Sequence, residues 1–289
     1  MKIFITLAYN KSLYNKNLKN EYFEIFNNKS IYYLKLNSIK PIHLNLIESL
    51  KILKSDKDIT HLVFTSKNGA HLFFNYILQK EPKMLEFLRS KEFLAVGPET
   101  AKIINQFKLN ISIPEKYLTS SLADLIININ SKNKTPSKFL ILRSKISNKI
   151  LTNKLKKNKI KFIEKHIYTI KSNPFFKKTK EYKLLKLLIK INGKLINTDI
   201  NSLNKEQIFL VFTSPSNVKT FFKHFKISQI ISIPNIKILP IGPITNYELE
   251  NYIKNYYNIN DILLNKILKF PKNYTLKDCL ANLKNITDL

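Results

Sequence analysis

The stretch VFTSKNGAHLFF, Val63–Phe74, returns at Val211–Phe222 as VFTSPSNVKTFF. Each copy runs from an apolar, β-rich segment through a Thr-Ser pair into helical apolar spacing, seen in the first copy at Ala70, Phe73, Phe74 and Ile77. A second echo follows each: FLAVGPETAKII from Phe93 and ILPIGPITNYEL from Ile238. The copies stand 148 residues apart at Thr65 and Thr213, and 145 apart at Gly97 and Gly242. A repeat of that length is a duplicated domain rather than a solenoid unit, so two similar lobes are expected.

The runs HLVFTS and FLVFTS do not alternate, as in parallel strands covered on both faces. Ser66 and Ser214 are placed as helix N-caps, with Pro215 at the favoured first helical position. Pro98 and Pro243 hold that position after Gly97 and Gly242. The chain has four glycines, and Gly69, Gly97 and Gly242 all sit at these junctions, which points to tight turns or close backbone approach. Further strands are predicted at Lys2–Thr6, Ile31–Leu36, Lys138–Ser144 and Lys161–Ile170, with helices at Ser121–Asn128 and Tyr182–Ile191. Such alternation implies α/β lobes with parallel sheets. The strands at Lys138 and Lys161 complete the lobe of the first echo, which leaves those at Lys2 and Ile31 to the second. The expected layout is therefore a discontinuous lobe 1 (residues 1–38 plus 172–289) and a lobe 2 (42–168). The chain crosses between them near 38–43 and 168–174, and a hinged pair facing across a cleft follows.

Ligands of such sheets bind beyond the carboxyl ends of the strands, where all four junctions lie. Each junction offers helix N-terminal N–H groups and a hydroxyl from Thr65 and Ser66, Thr100, Thr213 and Ser214, or Thr245. Four such termini suit an extended ligand with several negative groups. The same hydroxyls also serve simply as helix caps, and both readings stand.

A formal charge of +29 favours polyanionic partners. It also fits a compositional bias: lysine far outnumbers arginine, the lysines form no tract, and no nucleic-acid motif accompanies them. Cys279 is the sole cysteine, which excludes internal disulfides and cysteine-based zinc clusters. His43, His61, His71, His166 and His224 show no metal-ligand spacing. No run of about 18 uncharged apolar residues occurs, and the opening MKIFITLAYN lacks a signal peptide's features. A cytoplasmic protein without a membrane partner is expected.

VFTSKNG, AVGPETA, TSSLADL, FLILRS, HIYTI, VFTSPSNV, PIGPIT and FPKNYTLKDCL occur in the order and approximate spacing of uroporphyrinogen-III synthases, which the chain resembles over nearly its whole length. The resemblance implies two flavodoxin-like parallel-sheet lobes joined by a two-stranded linker, with the active-site cleft between them. It implies cyclisation of hydroxymethylbilane, a linear tetrapyrrole with eight carboxylates, to uroporphyrinogen III with inversion of ring D and without a cofactor; a monomer is the simplest expectation, and the sequence does not fix it. Water must leave to give an azafulvene, and Tyr168 in HIYTI is the candidate proton donor. The remainder is orientation, so that the substituted position of ring D attacks and a spiro intermediate forms. Thr65, Ser66, Gly97, Thr100, Ser120, Thr213, Ser214, Gly242 and Thr245 are the implied substrate-binding residues. Tyr168 also reads as an ordinary strand aromatic, and His166 as a solvent-facing or linker residue.

The chain departs from that pattern in three places. Thr6-Leu7-Ala8 stands where Thr-Arg-Pro is usual, so a cation expected at the cleft is missing. Ser120-Ser121-Leu122 replaces a Ser-Glu-Leu-like sequence, and residues 192–207 read as an insertion. Two other classes share some features. A non-catalytic two-lobe polyanion-binding protein would not need the tyrosine, and a nucleic-acid module would not need the paired junctions.

Overall fold

The computed structural model describes residues 1–9, 30–133, 136–195, 206–254 and 266–287. They form two compact units, Ile39–Ile170 and Met1–Ser38 with Lys171–Leu289. Two strands carry the chain past the boundaries: β2 (Ser30–Pro41) and β7 (Lys161–Ser172).

The continuous unit holds β3 (Ile59–Phe64), β4 (Glu92–Ala95), β5 (Ile111–Ser112), β6 (Lys138–Ser144) and most of β7. The strands pair in the order β5-β4-β3-β6-β7, all parallel. Counted within the unit this is 3-2-1-4-5, a doubly wound order that differs from the 2-1-3-4-5 of flavodoxin. The strand order reverses between β3 and β6, so the crevice favoured for ligands opens at those two strand ends.

The absence of alternation in HLVFTS has its explanation here. Val63, Leu94, Phe139 and Ile141 face one side and meet Leu122, Ala123 and Ile126 of α5 (Thr119–Lys132) and Leu151 and Leu155 of α6 (Ile150–Lys157). Phe64 packs on the other side against the tilted rings of Phe73 and Phe74 of α2 (Lys67–Lys80), and Phe93 stacks on Phe64. The helices α1 (His43–Ser55), α3 (Met84–Leu88) and α4 (Pro98–Asn105) complete the unit.

The second unit pairs β1 (Lys2–Tyr9), β8 (Ile208–Phe212) and β9 (Ile236–Pro240) with β2 in parallel as β2-β1-β8-β9, which counted within the unit is 2-1-3-4 and follows the flavodoxin order. Phe4, Leu210, Phe212 and Ile238 face α7 (Lys180–Leu195), α8 (Pro215–Phe222), α9 (Ile227–Ser232) and α10 (Pro243–Lys254). Ile3, Ile5, Phe209 and Val211 pack under Cys279, Leu280 and Leu283 of α11 (Leu276–Thr287). The strands at Lys2, Ile31 and Lys161 run longer than predicted, to Tyr9, Pro41 and Ser172. Of the segment read as an insertion, α7 absorbs the start through Leu195 and residues 196–205 lie outside the described residues. Among the described residues no helix is long and apolar enough to cross a membrane, and no cluster of His, Cys, Asp and Glu could hold a metal ion.

Cys279 gives a direct test of how α11 covers its sheet. Burial, with the neighbouring Asp278 charge adding to it, pushes the thiol up to about 12. The native protein should react with a thiol reagent at least ~100-fold more slowly than the urea-unfolded chain. Rapid labelling without denaturant would show that α11 does not seal this face.

Candidate functional site: capped strand ends and a buried tyrosine

Where β3 ends, Ser66 takes an extended backbone and its Oγ accepts the Gly69 N–H at 3.1 Å, capping α2. Val96 N donates to Phe64 O at 3.0 Å, so the end of β4 and the Gly97-Pro98 turn run alongside. The other unit repeats both bonds. Ser214 Oγ accepts Asn217 N–H at 3.3 Å, and Ile241 N donates to Phe212 O at 2.9 Å beside Gly242-Pro243. The four echoed junctions thus fall into two neighbouring pairs, one in each unit. Pro98, Pro215 and Pro243 occupy the first helical positions.

Tyr168 of β7 belongs to the first pair. Its Oη lies 2.7 Å from Ser66 Oγ, and only 3% of the residue is exposed. Burial raises the phenol above its ordinary pKa, while Ser66, the Arg143 charge and Ser144 act in the opposite direction. The phenol is therefore neutral at physiological pH. A small residue at 69 leaves room for this arrangement: a Cβ there would sit 3.6 Å from Tyr168 Cε1 and 3.5 Å from Ser66 Oγ. A methyl fits those distances, and a longer side chain would enter the ring's space.

At the same helical position the second unit has Asn217, which fills the space instead. Its Nδ2 donates to Thr213 Oγ1 at 3.0 Å, and its Oδ1 accepts from Asn37 Nδ2 at 2.7 Å. Asn37 Oδ1 accepts from Thr220 Oγ1 at 2.8 Å, and Thr213 Oγ1 donates to Thr6 O at 2.6 Å. Thr6 Oγ1 in turn donates to Val211 O at 3.0 Å. Buried polar groups are tolerable when paired in this way. The Thr213 hydroxyl is thus committed to the sheet, whereas Thr65 is half-buried beside Ser66.

The other candidates divide by exposure. Thr100 and Thr245 lie in the first turns of α4 and α10 and are each 3% exposed, so their hydroxyls face the interior. Ser120 is half-buried in the first turn of α5, whose cap residue Leu118 offers no side-chain hydrogen bond. His166 is 40% exposed, with Nε2 3.3 Å from Glu164 Oε1. Leu7 packs against the apolar cluster of Ile3, Ile5 and Val211. Its neighbour across the β1–β2 pairing is Lys35, whose Nζ sits 4.7 Å from the centre of the Tyr9 ring.

Sequence reasoning passed over two features. One is a third echo, IPEKY at 113–117 against FPKNY at 270–274. Tyr117 lies over Gly97 and Tyr274 over Gly242: a Cβ on either glycine would come within 3.0 Å of Tyr117 Cβ or 3.2 Å of Tyr274 Cβ. These glycines are required by close approach, and the signal was the shared Pro-x-x-Tyr pattern of the two segments. The other is Arg143, 2% exposed at the end of β6. The signal was its chemistry, since only Arg89 and Arg143 are arginine among 49 basic residues.

Replacing Asn217 by Leu would leave the buried Asn37 Nδ2 without its acceptor and take one of two partners from Thr213 Oγ1. We expect a loss of about 2–4 kcal/mol by urea denaturation. Gly69→Ala should be close to neutral, and Gly69→Val should displace the Tyr168 ring, read as increased quenching of tyrosine fluorescence by added iodide. An unchanged fluorescence response in Gly69→Val would contradict the packing described.

Comparison with known proteins places the fold and the family. Residues 32–258 match the family model described as uroporphyrinogen-III synthase HemD. A Methanocaldococcus jannaschii protein named "Putative uroporphyrinogen-III synthase" is 32% identical over 90 residues, 30% of this chain. The match spans only 36% of that relative's length. The fold is similar to the crystal structure of uroporphyrinogen-III synthetase from Helicobacter pylori, with a TM-score of 0.55 and 18% identity over 99% of this chain and 100% of that one. It is also similar to a mutant uroporphyrinogen III synthase from Thermus thermophilus, with a TM-score of 0.52 and 12% identity over 86% of this chain and 89% of that one. With its α/β fold, its parallel sheet and a family match over most of its length, the chain belongs to the uroporphyrinogen-III synthase family.

Proposed function

We propose that this chain is a uroporphyrinogen-III synthase, closing hydroxymethylbilane to uroporphyrinogen III with inversion of ring D and loss of water. The observation that carries the reading is the duplicated junction in a chain of this family. Each unit ends two neighbouring strands beneath helix N-termini, a donor-rich edge suited to a substrate with many carboxylates. The units act as two lobes linked by the crossings near 38–43 and 168–174, and both contribute donors to one extended substrate. Thr65, Ser66, Gly97, Ser120, Ser214 and Gly242 belong to that donor set, with Thr100, Thr213 and Thr245 supporting the turns from within. The protein works as a cytoplasmic monomer.

The chemistry begins at the hydroxymethyl carbon. Its C–O bond breaks, the oxygen takes up a proton and leaves as water, and an azafulvene remains. Tyr168 is suited to hydrogen-bond that departing oxygen because its phenol is neutral. Ser66 already accepts from Gly69 N–H. By donating its own proton to Tyr168 Oη it leaves the phenol O–H free to point at the substrate. The azafulvene carbon is then attacked by the substituted position of ring D, giving the spiro intermediate, and the protein's contribution is to hold the bilane in that fold. Lys35 is the cation that stands in for the arginine missing at Leu7, since the two face each other across β1 and β2.

The deciding experiment supplies purified protein with freshly generated hydroxymethylbilane and separates the porphyrin isomers after oxidation. Spontaneous closure gives isomer I, so the expected result is enrichment of isomer III. Tyr168→Phe should slow its formation ~10- to 100-fold. Lys35→Ala should raise KM roughly fivefold with little change in kcat, as expected for a binding contact. Isomer I alone from a folded protein would overturn the reading in favour of a non-catalytic polyanion-binding relative.

A further inference from the structure

Arg143 is an anomaly on chemical grounds. It is buried in a chain that otherwise meets almost every need for a cation with lysine. Its Nη2 donates to Asn148 O at 2.8 Å and its Nη1 reaches Glu164 Oε1 at 3.4 Å, while its Nε has no hydrogen-bond partner among the described residues. A lysine buried here would shed its proton, whereas a guanidinium keeps its charge.

The position is defined by a register shift. β6 and β7 pair Arg143 with His166 and then Ser144 with Tyr168, with the irregularity between Arg143 and Ser144. Lys145 N donates to Tyr168 O at 2.8 Å, so the strand end bearing Arg143 is tied to the backbone of the tyrosine itself. The other unit has the same irregularity at the matching place, between Leu7 and Ala8 of β1, and there the residue is leucine in an apolar cluster. The bulge alone therefore does not demand an arginine.

We propose that Arg143 is a positioning residue for Tyr168: a fixed positive charge at the strand end tied to the tyrosine, which strengthens the phenol as a proton donor while negative charge gathers on Oη. The proposal rests on the reading of Tyr168 as the donor. The charged and titratable groups around the pair are few. From β7 come Glu164, which faces Arg143, and His166, which leans on Glu164. From β3 and α2 comes the uncharged Ser66, from the loop after β6 the Asn148 carbonyl, and the Glu48 of α1 is engaged by Lys165. The Arg143 charge is one of the influences opposing the effect of burial on the phenol.

The test replaces Tyr168 with a ring-fluorinated tyrosine, whose weaker hold on its proton brings the titration into an accessible range, and follows it by 19F NMR in the full-length protein. Two variants push in opposite directions. Arg143→Met should raise the titration midpoint and Glu164→Gln, which removes the counter-charge, should lower it, each by about half to one pH unit. Glu164 is partly exposed, so its replacement keeps the test available if Arg143→Met does not fold. Arg143→Lys should hold the wild-type midpoint only while the lysine stays charged. A midpoint unmoved by Glu164→Gln, and by Arg143→Met where it folds, would overturn the proposal and leave Arg143 as an anchor for the loop at Asn148. The readout needs no turnover, so it stands apart from the isomer assay: inactivity towards hydroxymethylbilane with shifted midpoints would discard the functional reading and leave the charge coupling intact.

Discussion

A helix that starts directly above the end of a parallel strand begins with N–H groups that have no carbonyl to meet. Here a serine hydroxyl accepts one of them in each unit, Ser66 from Gly69 and Ser214 from Asn217. That single bond fixes where the helix begins, and with it the direction of the remaining N–H groups at the sheet edge. It also fixes which residue comes third in the helix. In one unit that residue is glycine, and a tyrosine ring moves in; in the other it is asparagine, and a network of buried amides and hydroxyls closes over the strand ends. The two units share a scaffold and differ in what one position allows.

The difference has an energetic side. In the Asn217 network each polar group has a partner, so burial there costs little and holds β1, β2, β8 and α8 together. Around Tyr168 the accounting is less complete. A buried phenol shares Ser66 with a helix cap, and among the described residues the buried guanidinium has a nitrogen without a hydrogen-bond partner.

Much of this was written locally in the chain. The Thr-Ser pairs, the prolines after them and the apolar spacing made both caps legible, and the scarcity of glycine made Gly97 and Gly242 conspicuous. The register shift beside Arg143 was not legible, because a bulge depends on the neighbouring strand and leaves no mark in its own. Nor was the network around Thr6, which joins two distant parts of the chain: Asn37 and Asn217 are 180 apart, and Thr6 and Asn217 are 211 apart. The third echo escaped because its strand is two residues long in one unit and a single bridge at Ile267 in the other. Strand lengths were underestimated where Lys, Asn and Ser interrupt apolar runs without ending the pairing, as in LKLNSIKP of β2.

The separation of β1 from its partner has a consequence for how the molecule is made. During synthesis the contiguous unit is complete once Ile170 has left the ribosome. The first strand cannot finish its sheet until β8, beginning at Ile208, has followed. Through that interval Ile3, Phe4 and Ile5 form a short apolar strand with an open edge, in reach of any other nascent chain. Lysine on one side and a polar, lysine-rich segment on the other flank it, an arrangement that discourages self-association during the wait. The strand made before the contiguous unit is thus secured after it.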